Sequence, residues 1–240
     1  MSRVLVVLHD LDDHLNELGG PLVDAGLAID TWCTWVDKRP QLPPSAYSAI
    51  VSMGAIAGVE DHHVHPWMTV ESEYLTDALS HGKPVLGVCF GSQLLAKVCG
   101  GRVFKAPTPE IGWTTVTATP EATDDPLVAG LGTEYDGFQF HYDTFSLPDD
   151  VVVLGRTGDL IEAFRVGDNA WGLQFHIEAN PGVALQWLGT YAGELAAAGV
   201  DPERWQRETA AKWRSYRDAC SQVGARFADM VVARADEEVG

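Results

Sequence analysis

Apolar residues along this chain follow two rhythms. Short, almost unbroken apolar runs occupy residues 4–8, 27–33, 49–53 and 85–88. Runs of that length with no polar alternation predict strands covered on both faces. Between them, residues 15–25, 68–80 and 91–98 place apolar side chains at helical spacing. Gly26 closes the first of these helices, and Gly82 with Pro84 ends the second. Strand and helix therefore alternate, which predicts βαβ units around a parallel sheet. Residues 101–118 and 151–175 are β-rich and dotted with glycine, and read as hairpins added to that parallel core. No internal repeat, low-complexity tract or linker divides the chain.

After "GVDPERW" the pattern changes. Asp201 can cap a helix and Pro202 can take its first position. Downstream, Trp213, Tyr216, Cys220, Val223, Phe227 and Met230 are separated by alternating steps of three and four, a heptad-like stripe interrupted by Gly224. The division expected is a main domain over residues 1–200 and a C-terminal helical extension over 201–240. The stripe has two readings: it packs on its own domain, or it pairs with a partner protein or a second copy of the chain.

Charge narrows the partners. With 34 acidic against 16 basic side chains, the net charge is −18. A surface that acidic repels nucleic acid and anionic lipid. No apolar run reaches the ~20 residues of a membrane span, and "VLVVL" running into "HDLDD" does not make a signal peptide. Cys33, Cys89, Cys99 and Cys220 are scattered without a CxxC pair, so reduced thiols and a cytoplasmic location are expected.

One cysteine stands in an unusual setting. In "GVCFGSQ", Cys89 lies between an apolar strand and a helix, with Gly87 and Gly91 on either side. A buried structural cysteine has no need of such neighbours. A nucleophile raised on a sharp strand-to-helix turn does, because the turn forces unusual backbone angles and close chain approach. The strand's carboxyl end is also where open α/β sheets gather ligands, and a helix N-terminus favours an anion there. A thiol needs a base, and His176 follows the apolar run "AWGLQF". Glu178, two residues on, projects to the same side of an extended chain and can hold the ring, completing a Cys–His–Glu relay.

"GVCFGSQ" together with "GLQFHIE" resembles the nucleophile elbow and base motif of the class I glutamine amidotransferases, and more specifically their stand-alone, GMP synthase-like branch. The likeness runs in order over residues 4–189 through "EDHHVHPW", "EIGW", "FQFHYDTFSLP" and "EAFRVG". It implies a flavodoxin-like three-layer α/β/α sandwich with a mostly parallel sheet. It also implies that Cys89 attacks a γ-carboxamide to form a γ-glutamyl thioester, with His176 and Glu178 completing the triad. The backbone N–H groups of Gly54 and Phe90 would hold the oxyanion. Gln93 would bind the glutamyl group, and the backbone around His141, Tyr142 and Asp143 its amino-acid end. Two positions depart from the family: Met53-Gly54-Ala55 replaces Gly-Gly-Pro, implying a looser oxyanion loop, and Ile177 replaces the proline after the histidine.

Other features carry less. His62, His63 and His65 beside Glu60 and Asp61 could attract a metal, but the family needs none here, so neither metal nor cofactor is expected. No GxGxxG follows the first strand. The leading expectation is a hydrolase that releases ammonia from glutamine for a synthetase partner on another chain. The alternatives are a self-sufficient hydrolase of γ-glutamyl amides of small amines and a catalytically silent regulatory or binding protein.

Overall fold

The computed structural model describes residues 2–239, with side chains placed through residue 236. Among the described residues nine strands form one sheet in the order β2-β1-β3-β4-β9-β8-β7-β5-β6. Its parallel half comprises β1 (Arg3–Leu8), β2 (Ala28–Cys33), β3 (Ala49–Ser52), β4 (Val85–Val88) and β9 (Ala170–Leu173). The rest, β5 (Arg102–Ala118), β6 (Glu134–Ser146), β7 (Val152–Thr157) and β8 (Leu160–Val166), pairs antiparallel.

Helices cover both faces, and strand β1 shows why its run is unbroken. Val4, Val6 and Leu8 turn into one core, while Leu5 and Val7 turn into the other. The first core is closed by α1 (Gly19–Asp24), α4 (Pro181–Thr190) and α6 (Pro202–Val239). The second is closed by α2 (Trp67–Ser80) and α3 (Phe90–Val98). A short α5 (Ala192–Ala197) follows α4. The fold is thus a flavodoxin-like α/β/α sandwich.

Three local expectations need adjustment. The helix over residues 15–25 is a 3₁₀ turn at Asn16–Leu18 followed by α1, because Gly19, Gly20 and Pro21 resist a single continuous helix. Residues 102–118 form one long strand rather than a hairpin. Its register slips between Lys105 and Glu110, where Pro107 and Pro109 cannot donate to the ladder. Residues 151–175, expected as an added hairpin, give the hairpin β7–β8 and then β9, which enters the parallel half beside β4. On α6, Tyr216, Cys220, Val223, Phe227, Ala228 and Val231 are buried in the chain's own core. Gly224 lets the helix approach α1: a Cβ there would lie 3.0 Å from the Pro21 ring.

Candidate active site

Cys89 links β4 to α3 with φ 50° and ψ −106°. Among the described residues only Asn16 shares a positive φ without being glycine. The angle is sustained by crowding around it. A Cβ on Gly87 would meet the Gly91 carbonyl oxygen at 2.5 Å, and one on Gly91 would lie 2.6 Å from the Ser52 carbonyl carbon. The Cys89 N–H donates to the Leu173 carbonyl at 2.8 Å, tying the elbow to the end of β9. Such strain typically costs about 1–3 kcal/mol and survives where the surroundings over-determine it.

His176 follows β9 on the same edge. Its Nδ1–H donates to Glu178 Oε1 at 2.7 Å, with both side chains buried. The ring is also packed edge-on against Trp187 of α4, 4.7 Å between centroids, and its carbonyl accepts from the Tyr216 hydroxyl of α6 at 2.8 Å. Burial disfavours the imidazolium, but the charges of Cys89 and Glu178 and the Glu178 hydrogen bond outweigh it and hold His176 well above its ordinary pKa. Nε2 is buried with no hydrogen-bond partner among the described residues, leaving it open to a proton in transit.

The loop after β3 is held on two sides. The Met53 carbonyl accepts from the Gly91 N–H at 3.1 Å, so the Gly54 N–H of that trans peptide points the opposite way. The Gly54 carbonyl accepts from His9 Nδ1 at 2.8 Å. His9 Nε2 in turn meets Glu71 Oε2 at 2.8 Å, and Ser52 Oγ donates to Glu71 Oε1 at 2.6 Å. Both His9 partners are acceptors, which requires a doubly protonated ring. Burial opposes that state, yet Glu71 raises the His9 pKa overall. Met53-Gly54-Ala55 therefore lacks the family's proline but has this cation and carboxylate as a brace. Phe90 opens α3, where its N–H has no intrahelical acceptor.

A cavity of about 210 Å³ lies over the elbow and is lined by Cys89, Phe90, Gln93, His141, Tyr142, Asp143 and His176. Gln93 Nε2 donates to the Asp143 carbonyl and to Gln174 Oε1, each at 3.2 Å. His141 Nδ1 donates to the same Asp143 carbonyl at 2.9 Å. Burial lowers the His141 pKa to about 4, so the ring is neutral at pH 7. Behind it, burial and the adjacent Glu162 push Glu110 up to about 8, the behaviour of two carboxyls sharing one proton. Glu178 and Gly54 do not themselves line the cavity.

Sequence reasoning missed Asp13, His9 and Glu71. Asp13, from the loop after β1, is buried, and one ligand oxygen lies within 4.8 Å of ligand atoms of His176 and Glu178. Burial, then the Glu178 charge, push its pKa up to about 8. Glu71 had a visible signal: it interrupts the buried stripe of α2 between Met68 and Leu75. Two groups have metal-like ligand geometry, Asp13/His176/Glu178 and Glu110/His141/Glu162. In the first, Glu178 already binds His176, and in the second a shared proton accounts for the carboxyls. The exposed His62 and His63 join no such group among the described residues.

Residues 53–188, which hold the elbow, the pocket strand and the His–Glu pair, match the family model for the class I glutamine amidotransferases. The chain belongs to the class I glutamine amidotransferase family. Among its relatives, a GMP synthase of Aeropyrum pernix is 38% identical over 114 residues, covering 47% of this chain and 22% of that protein. A gamma-glutamyl-L-1-hydroxyisopropylamide hydrolase of Pseudomonas is 28% identical over 146 residues, covering 57% of this chain and 49% of the hydrolase. The chain thus spans under a quarter of the one and about half of the other. A solved glutamine amidotransferase from Thermotoga maritima superposes with a TM-score of 0.86 at 26% identity, over 95% of this chain and 98% of that one. One from Methylobacillus flagellatus gives 0.85 at 26%, over 95% of each. Among the described residues no helix of this chain is long and apolar enough to cross a membrane.

Proposed function

We propose that this chain hydrolyses γ-glutamyl amides through a Cys89–His176–Glu178 triad. The observation that carries the reading is the strained cysteine at the β4–α3 elbow beside a buried His–Glu pair. The Cys89 thiolate attacks the γ-carbonyl carbon, forming a C–S bond and an oxyanion to which the Gly54 and Phe90 N–H groups donate. Collapse breaks the C–N bond, and the His176 imidazolium gives its proton to the departing nitrogen. Water then attacks the thioester, His176 takes its proton, and glutamate leaves as the thiolate returns. Gln93 and the backbone at residues 141–143 hold the glutamyl end.

Glutamine is the simplest such amide, and its ammonia would pass to a synthetase partner. A glutamine-hydrolyzing GMP synthase component from Sulfolobus acidocaldarius, 37% identical over 98 residues, favours that use. A second reading, a self-sufficient hydrolase of γ-glutamyl amines, is favoured by the braced Gly54 loop and by the α6 stripe being occupied within the chain. Four free cysteines fit a reducing compartment such as the cytoplasm. The test is a glutamine-like diazo-ketone followed by peptide mass mapping, alongside glutamate release from glutamine and γ-glutamyl amides. Adduct at Cys89 alone supports the mechanism. Modification of Cys33, Cys99 or Cys220 with Cys89 untouched refutes it.

A further inference from the structure

The cavity has two chemically different walls. On the glutamyl side stand Gln93, Lys105 and Asp143, with Lys105 Nζ and Asp143 Oδ1 paired at 3.0 Å. On the side of His176, where the departing nitrogen takes its proton, the loop after β1 contributes Asp10, Asp12 and Asp13, and Asp61 and Glu194 add two further acids to the lining. Among the described residues, Lys105 is the only lysine or arginine lining the cavity, and its charge is already committed to Asp143.

These acids are built in at graded depth. Asp13 is only 6% exposed, and its Oδ1 is buried with no hydrogen-bond partner among the described residues. Asp12 and Asp10 are half-buried nearer the solvent. Asp12 accepts from the Tyr191 hydroxyl and Asp10 from the Ile56 N–H, each at 2.6 Å, so both are held in place facing the cavity. Negative charge on Asp10 and Asp12 works against the chemistry: it opposes the Cys89 thiolate and the oxyanion that must form beside it. Ammonia leaving from glutamine brings no positive charge to this wall in the bound amide. A substrate carrying a cation beyond the scissile nitrogen would neutralise the wall and give the unpartnered Asp13 oxygen a donor.

We infer that the leaving-group side selects γ-glutamyl amides whose amine carries a second ammonium, with Asp13, Asp12 and Asp10 as its receptor. This names the substrate class within the hydrolase reading above and rests on it. The bond broken is unchanged, and the products are glutamate and a diamine. The raised pKa of Asp13 fits an acid that stays neutral until a cation arrives.

The experiment compares two amides of matched length, γ-glutamyl-(4-aminobutyl)amide and γ-glutamyl-pentylamide, with glutamine alongside. The expected result is a kcat/KM at least ~10-fold higher for the aminobutyl amide, reduced by 0.5 M salt. That ratio should fall at least ~5-fold in Asp10→Asn/Asp12→Asn and in Asp13→Asn. A ratio near one, or a preference for the pentylamide or glutamine, overturns the inference while leaving the hydrolase reading intact. Absence of all turnover rejects the hydrolase reading instead. Calorimetric binding of both amides to Cys89→Ser then decides separately: tighter binding of the aminobutyl amide sustains the acidic receptor, and equal binding removes it.

Discussion

His9→Ala probes the brace beneath the oxyanion loop. The substitution removes an imidazolium whose side chain is fully buried, and with it the hydrogen bond to the Gly54 carbonyl. It also leaves Glu71, equally buried, with Ser52 Oγ as its remaining side-chain donor. Breaking one partner from a buried pair costs ~3–5 kcal/mol. At ~2–4 °C per kcal/mol for a domain of this size, Tm should drop by roughly 10 °C. Activity responds through geometry. Losing an oxyanion donor outright costs ~10²–10³ in turnover. Here the Gly91 N–H still holds the Met53 carbonyl, so one of two restraints on Gly54 survives and a loss of at least ~10-fold in kcat is expected. The double variant His9→Phe/Glu71→Met separates the two effects. Replacing both charges by apolar groups of similar volume should recover part of the stability, the Ser52 hydroxyl having lost its Glu71 acceptor. It restores no donor to the Gly54 carbonyl, so kcat stays low. The assays are thermal unfolding by circular dichroism and glutamate release below the variant's transition. If both variants keep kcat within about threefold of wild type, the brace does not position the loop and the reasoning fails.

The acid–base pair should respond unequally: His176→Ala should lower kcat/KM at least ~100-fold, while Glu178→Gln, which keeps a hydrogen-bond acceptor but loses charge, should cost less. Undiminished turnover in His176→Ala would move the base elsewhere. Gly91→Ala should destabilise the fold by ~1–3 kcal/mol or more, because its Cβ meets backbone at Ser52 that cannot swing aside; a denaturation midpoint equal to wild type would contradict the crowded elbow. His141 titrates near 4 in the fold against 6.5 unfolded, so below pH 6.5 the unfolded chain binds the extra proton and native stability is lost on acidification. Measured against His141→Gln in denaturant titrations, wild type should gain about 3 kcal/mol between pH 4 and 7, and parallel profiles would refute this.

Much of the architecture follows from local pattern. Residues 4–8 and 85–88 are apolar throughout because both of their faces are covered, and that property is visible without coordinates. The capping pair Asp201-Pro202 marks the start of α6 for similarly local reasons, and Asp201 Oδ1 does accept from the Glu203 N–H at 2.9 Å. Asn180-Pro181, the same kind of signal, begins α4, where Asn180 Oδ1 accepts from the Val183 N–H. That signal is easily passed over because it directly follows the His–Glu motif. The crowded turn at Cys89 was legible because glycine spacing reports backbone crowding, whereas Glu178 reaches the His176 ring from a turn beyond β9 and not, as a two-residue step in an extended chain implied, from a strand.

What depended on the tertiary structure is everything joined across long stretches of chain. His9, Gly54 and Glu71 are remote in sequence and become one network only when β1, β3 and α2 stack. Asp13 looks like one acid among several in "HDLDDH", and only burial beside His176 gives it a distinct environment. The heptad-like stripe of α6 stated that an apolar face needed covering, but the identity of the cover was set by the position of α1 and α4. Apolar periodicity encodes how much surface must leave water, and that quantity is local. Which surfaces meet, and which polar groups are trapped between them, depends on loop closure and packing over the whole chain, so it could be read only from the folded molecule.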